Sequence, residues 1–282
     1  MKSYNLALIA LLSALAGVLQ VFNGIIGFPT GFGMTIDLVG VPILLAFFLL
    51  GFEAALYTLL ITAFLITMLS PTSWLGASMK FAATLPMFLV PAFYIMSIEK
   101  GGFQKLVANG FFALFIALTA FVFAGIVNQS FQPAVGEGMN QTLYSTPNVS
   151  VLGTEVIAEQ TITLGSLLLG LLPIAALLIF SAALLLAWRK YGGKYKVEPL
   201  TSWKVLAAVI LVAVFVRGVF SIVSNYYYAG PIFWHTTPEQ LMAIAPWYLI
   251  FGWNAVLGVL EVSLAWVIAF KFKFAEKYGE WF

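Results

Sequence analysis

The chain contains no cysteine. Disulfides, thiolate metal sites and thiol nucleophiles are therefore excluded, and the redox compartment stays open. Histidine is nearly absent as well. His235 stands alone, too few for a histidine-based metal site. Charge is scarce: 9% of the 282 residues are Asp, Glu, Lys or Arg, against about a quarter in a soluble domain. No H-E-x-x-H, G-x-S-x-G or P-loop occurs, and no Asp-rich pair suggests metal-bound diphosphate chemistry. The chain therefore reads as a non-enzyme without a cofactor, and any ATP hydrolysis must come from another chain. The net charge of +2 is small. The basic residues sit beside helix ends, where they report topology rather than nucleic-acid binding.

What the chain has in excess is apolar sequence, at 62% of residues. One core cannot bury that much, so a large share must face lipid. Apolar runs of about 20 residues, enough to cross a hydrocarbon core at 1.5 Å per residue, recur along the chain. They predict helices at Tyr4–Ile26, Leu38–Leu50, Glu53–Ser70, Ala77–Met96, Leu106–Ile126, Thr163–Trp188, Trp203–Tyr226 and Leu241–Phe270. The expected fold is all-α, a single polytopic membrane bundle of about eight helices. The second helix is short, and Gly51 turns tightly into the third. The last run exceeds one span, so it tilts or starts at the interface.

Orientation follows from Lys and Arg. Lys2, Lys100, Lys105, Arg189, Lys190, Lys194, Lys196, Lys204, Lys271, Lys273 and Lys277 all fall on one side of an eight-helix topology. The positive-inside rule makes that side cytoplasmic and puts both termini there. The opposite loops, Gly27–Asp37, Pro71–Gly76, Val127–Ile162 and Tyr227–Gln240, carry no Lys or Arg. The long loop Val127–Ile162 holds all three N-x-S/T sequons, at Asn128, Asn140 and Asn148. Chance in an Asn-, Ser- and Thr-rich loop explains them as well as glycosylation does, and their side agrees with the charges. Residues 1–22 also admit a signal-peptide reading, with Ala14-Leu15-Ala16 as the cleavage-like site, but the apolar run continues to Ile26.

Polar groups inside hydrocarbon are costly and are functional hypotheses by default. Asn23 ends the first predicted helix, Asp37 begins the second and Lys80 opens the fourth. Arg217 lies about 13 Å below the outer end of the seventh, and Asn254 at similar depth in the eighth. Arg217, Ser221, Ser224, Asn225 and Tyr228 share one helix face, and so do Trp247, Phe251, Asn254, Gly258 and Glu261. Two such stripes opening outward would suit a polar, planar ligand, with aromatic faces for stacking and Asn amides for ring edges. Plainer readings stand beside this one. Lys80 can snorkel to the outer interface. Trp74, Trp188, Tyr226, Tyr227 and Trp234 can form an aromatic belt. Glu261, read as nearer the cytoplasmic half, can pair with a loop cation. His235 reads as a loop residue. On the first helix, Ala10-x-x-x-Ala14 and Ser13-x-x-x-Gly17 offer small residues four apart, for a partner helix or for internal packing.

Several segments together resemble the substrate-binding S-components of energy-coupling factor (ECF) transporters, riboflavin-type. Ile36-Asp37-Leu38-Val39-Gly40-Val41-Pro42 resembles the start of their second helix. Lys80-Phe81-Ala82-Ala83-Thr84, continuing through Phe88-Leu89-Val90-Pro91 to Tyr94, resembles the fourth. Arg217 with Asn225-Tyr226-Tyr227 and Pro231 resembles the fifth, and Trp253-Asn254-x-x-x-Gly258 resembles the F-N-x-x-K-G motif of the last. Leu257 stands where that motif has Lys. Ala10 and Ala14 resemble the Ala-x-x-x-Ala motif that meets the coupling subunit. The family has six helices; here 1–105 and 197–282 resemble its core, and 106–196 reads as an inserted helix pair with the external loop 127–162.

The resemblance implies capture of a water-soluble vitamin, riboflavin first, at the outer face of the cell membrane. It implies a transmembrane coupling subunit and two ATPase subunits as partners. Asn23, Lys80, Arg217, Asn225 and Asn254 are the expected ligand contacts, with Tyr226 or Trp247 for stacking. The alternatives are a self-contained secondary transporter, an intramembrane enzyme of unrecognised type, or a structural membrane subunit. The secondary transporter needs a coupling-ion site, and its candidates, Asp37 and Glu261, read as far apart in depth. Topology is directly testable on this cysteine-free chain. A cysteine replacing Asn140 should react with an impermeant maleimide from outside intact cells, and cysteines replacing Lys194 or Lys277 should not. External labelling at 194 would sink the eight-helix topology.

Overall fold

The computed structural model describes residues 3–29, 35–70, 73–99, 102–130, 164–192 and 197–278. It is a helical bundle. In chain order the elements are α1 (Ser3–Val21), α2 (Asn23–Ile26), β1 (Phe28–Pro29), β2 (Thr35–Ile36), α3 (Gly40–Leu50), α4 (Phe52–Leu69), α5 (Ser73–Glu99), α6 (Gly102–Ser130), α7 (Leu164–Ala187), α8 (Trp203–Ser224), α9 (Pro238–Ile244), α10 (Trp247–Trp266) and α11 (Phe274–Tyr278). The strands form one small antiparallel pair, Phe28 opposite Ile36 and Pro29 opposite Thr35. Among the described residues, five helical segments are long and apolar enough to cross a membrane: α1, α4, most of α5, α8 with its extension to Ile232, and α10 continuing to Lys271. Their outward side chains are apolar too, among them Leu11, Phe64 and Leu211. That is the surface expected where the solvent is lipid.

Six helices, α1, α3, α4, α5, α8 and α10, pack on one another, with α5 between α4 and α8. Every residue of α3 is buried, as a helix apolar all round must be. It is about 16 Å long, half a hydrocarbon core. Its Phe47 and the first residue of α4, Phe52, both pack on Phe88 of α5, with ring centres 6.3 and 5.6 Å apart. α6 and α7 lean on the outside of this core, mainly against α5. Phe112 of α6 meets Phe93 at 6.1 Å. Just beyond α7, Trp188 stacks on Phe52 at 4.2 Å, and Arg189 reaches Glu53 at 3.4 Å and the Tyr57 hydroxyl at 3.0 Å.

The helices run where the apolar periodicity puts them, with five changes. The seventh continues as a π-helix over Asn225–Trp234, into the loop expected at Tyr227–Gln240. The fourth predicted helix begins at Ser73, not Ala77, so Lys80 lies about two turns inside α5 rather than at its mouth. The fifth continues to Ser130, which puts Asn128 on α6 rather than in the loop; Asn140, Asn148, Lys194 and Lys196 lie outside the described residues. The first helix ends at Val21, and Asn23 starts the single turn α2. The last predicted run is two helices. Ala245 is extended before Pro246 (φ −125°, ψ 84°), as a residue preceding proline tends to be, and α10 restarts at Trp247.

The α3–α4 turn depends on Gly51, at φ 91° and ψ −169°. That region is open almost only to glycine, and a side chain there costs about 1–3 kcal/mol. Gly51→Ala should lower unfolding stability in detergent by that amount. Gly252→Ala, where a new Cβ meets nothing within 4 Å, is the control and should be tolerated.

Candidate functional site

The start of α3 sets the site. A helix N-terminus leaves backbone N–H groups without partners, and in hydrocarbon each must find one. Here the sequence Asp37-Leu38-Val39-Gly40-Val41-Pro42 supplies them. The Val39 N–H donates to Asp37 Oδ1 at 3.0 Å, and the Val41 N–H to the Leu38 carbonyl at 3.0 Å. Pro42 has no N–H to satisfy. The Gly40 N–H donates to Glu261 Oε1 of α10, also at 3.0 Å. Gly40 is glycine for a local reason: a Cβ there would collide with the Glu261 carboxylate.

Glu261 is wholly buried and draws in two cations. Lys80 Nζ lies 2.9 Å from its Oε1, and Arg217 Nη1 lies 2.7 Å from its Oε2. Lys80 Nζ also lies 2.6 Å from Asp37 Oδ1. Two carboxylates and two cations thus form one chain, Asp37–Lys80–Glu261–Arg217, with zero net charge. It ties together α3 and the turn before it, α5, α8 and α10. The inner members Arg217 and Glu261 have 1% and 0% of their side chains exposed, whereas Lys80 and Asp37 each keep 12%. The network is therefore sealed at one end and reaches the protein surface at the other.

This arrangement changes three sequence expectations. Lys80 turns inward to the carboxylates instead of snorkelling. Glu261 pairs with Lys80 of α5 and Arg217 of α8, not with a loop cation. Asp37 and Glu261 are not separated in depth, since both bond the same ammonium.

The facing stripes of α8 and α10 exist, and they meet by direct contact. A Cβ on Gly258 would sit 3.1 Å from Arg217 Cδ, and one on Gly218 would strike the Phe251 ring. From Arg217 to Asn225, and from Trp247 to Glu261, the polar groups between are neutral. Asn225 is buried, with its amide donating to the Ser221 carbonyl at 2.7 Å. Asn254 is buried, with its amide donating to the Ile250 carbonyl at 2.9 Å. The hydroxyl of Ser221, Nε of Arg217 and Oδ1 of Asn23 are buried without a hydrogen-bond partner among the described residues. Tyr226 is fully buried and its hydroxyl donates to the Ala245 carbonyl at 2.8 Å, so it braces α8 against the end of α9. Trp247 packs edge-on to Phe123 at 5.3 Å. Ser78 and Tyr228 share a hydrogen bond of 2.8 Å, with Trp74 against the Tyr228 ring.

On α1 the two small-residue pairs separate. Ser13 and Gly17 are buried, and a Cβ on Gly17 would lie 2.9 Å from Leu65 Cδ1. Ala10 and Ala14 are on the exposed face. No family model, curated protein or solved structure matches the chain.

Removing one member of a buried ion pair strands the other, at a cost of about 3–5 kcal/mol. Lys80→Met should cost that much in thermal or denaturant unfolding of the detergent-solubilised protein. Adding Asp37→Asn, which removes the stranded carboxylate, should recover part of the loss. Strictly additive effects would mean that the Lys80–Asp37 contact carries no coupling.

Proposed function

We propose that the chain is the substrate-capturing membrane subunit of an ECF-type transporter. It takes a water-soluble vitamin, riboflavin the leading candidate, from outside the cell membrane. It then hands the vitamin to a transmembrane coupling subunit driven by two ATPases. Both termini face the cytoplasm in this reading. The observation that carries it is the packing of α1, α3, α4, α5, α8 and α10 on one another, with a polar centre shared by α3, α5, α8 and α10 and with α6 and α7 outside. That grouping follows the division between the S-component-like segments and the inserted pair. The exposed Ala10 and Ala14, beside a Ser13–Gly17 face already used for packing, add support for a partner along α1.

A second reading has its own observation. Asp37 and Glu261 share Lys80 inside the bundle, and two carboxylates meeting at one amine could exchange a coupling proton in a self-contained secondary transporter.

Flavin fluorescence separates the readings from each other and from failure. Micromolar riboflavin should be quenched by the purified chain. Asn254→Ala should weaken that binding by about ten-fold to a hundred-fold, the effect of losing a buried hydrogen-bond partner. Ala10→Trp or Ala14→Trp should abolish ATP-dependent uptake by the assembled complex and leave binding intact. Loss of binding and uptake together would make those alanines packing residues. Uptake by the isolated chain in proteoliposomes, driven by a proton gradient, would favour the secondary transporter.

A further inference from the structure

Glu261 occupies a place that physical chemistry would otherwise assign to a free anion. The N-terminus of an eleven-residue helix carries partial positive charge and outward-pointing N–H groups. Here one of those groups, that of Gly40, points at a carboxylate oxygen at 3.0 Å. Lys80 stands 2.9 Å from the same oxygen and Arg217 stands 2.7 Å from the other. Three independent elements, α3, α5 and α8, each bring one donor to one anion, and a fourth, α10, supplies that anion from within the chain. Arg217 keeps a further buried donor, Nε, without a partner among the described residues. Asp37 takes the remaining reach of Lys80 at 2.6 Å.

We propose that Glu261 is a tethered anion filling an anion cradle built by Gly40, Lys80 and Arg217, and that with Asp37 it restricts the capture site to uncharged ligands. The second half rests on the capture reading given above. On that reading the cradle is the floor of the site: Ser221 and Asn225 follow Arg217 along α8, Asn254 precedes Glu261 on α10, and Lys80 and Asp37 each keep 12% of their side chains exposed. Both cations are already neutralised, so a phosphate or carboxylate arriving from outside meets no net positive charge. It could bind only by displacing a resident carboxylate, which would then be buried without its partners. A neutral ligand meets hydroxyl and amide groups instead. This predicts discrimination between a vitamin and its phosphorylated form, set by two residues that need not touch the ligand.

The cradle can be tested without knowing the vitamin. Glu261→Ala in the full chain removes the tethered carboxylate and leaves its donors in place. Formate, the smallest carboxylate, should raise the melting temperature of this variant by several degrees over chloride at matched ionic strength, because a ligand that binds only the folded state stabilises it. The wild-type chain should not respond. The absence of a formate-specific rise would overturn the cradle. Should Glu261→Ala not fold, Glu261→Gln keeps the volume and removes the charge. Its affinity for flavin mononucleotide relative to riboflavin should rise at least about ten-fold over the wild-type ratio. An unchanged ratio would overturn the charge filter even if formate stabilises Glu261→Ala. If the wild-type chain binds no flavin, the riboflavin assignment falls, and the formate experiment still decides the cradle.

Discussion

The carboxylate of Glu261 is where four helices become one structure. It belongs to α10 and receives α3 through the Gly40 N–H, α5 through Lys80 and α8 through Arg217. Moving one such ion from water into an apolar interior costs on the order of 20 kcal/mol in the idealised limit, and still several after relaxation. Each of the four charges is therefore unfavourable alone at this depth, and only the completed set is tolerable. The consequence is register. Apolar helices in lipid slide against one another with little penalty, because lipid is as apolar as their own side chains. A bundle whose cations and carboxylates must meet within 3 Å cannot slide by a turn without stranding a charge.

The same requirement accounts for the half-length helix. A helix that begins inside an apolar bundle, as the buried α3 does, has backbone donors that apolar side chains cannot satisfy. α3 resolves this within six residues: Asp37 takes one N–H, Leu38 another, Pro42 removes a third and Glu261 takes Gly40. Asp37 then does two things at once, holding the turn before α3 and receiving Lys80. The polar centre is thus partly backbone chemistry and partly side-chain chemistry, and neither part is complete without the other.

Much of this was legible in the sequence. The apolar runs located the helices, the shortness of α3 was visible, and the depth of Arg217 marked it as a residue with a buried role. The stripes on α8 and α10 were read from spacing, and they do face each other through Arg217, Gly258 and Glu261. The meeting of the two acids was not legible. Counted along the sequence, Asp37 at a helix start and Glu261 nearer the cytoplasmic half lie far apart in depth, yet both bond Lys80 Nζ. The break at Ala245-Pro246 shortens that count, because the last helix starts at Trp247 and not at Leu241. The signal was present: the residue before a proline is biased away from helical backbone. The two acids converge on Lys80, a meeting that no local periodicity could reveal because its members lie far apart in the chain.

The first helix shows the limit of pattern from the other side. Two small-xxx-small pairs lie one residue out of phase there, and spacing gives no reason to prefer either for internal packing. The packed core decides. Gly17 lies so close to Leu65 that a methyl group would not fit without movement, so Ser13 and Gly17 are consumed by the contact of α1 with α4. Ala10 and Ala14, about a quarter-turn away, remain on the exposed side. Small residues gain nothing from lipid contact that Leu would not also give, and the same face carries Leu6, Leu11, Leu15 and Val18, all exposed. The two alanines therefore leave a shallow, smooth strip between larger apolar side chains, and close approach of another helix is the contact for which such a strip has a physical use.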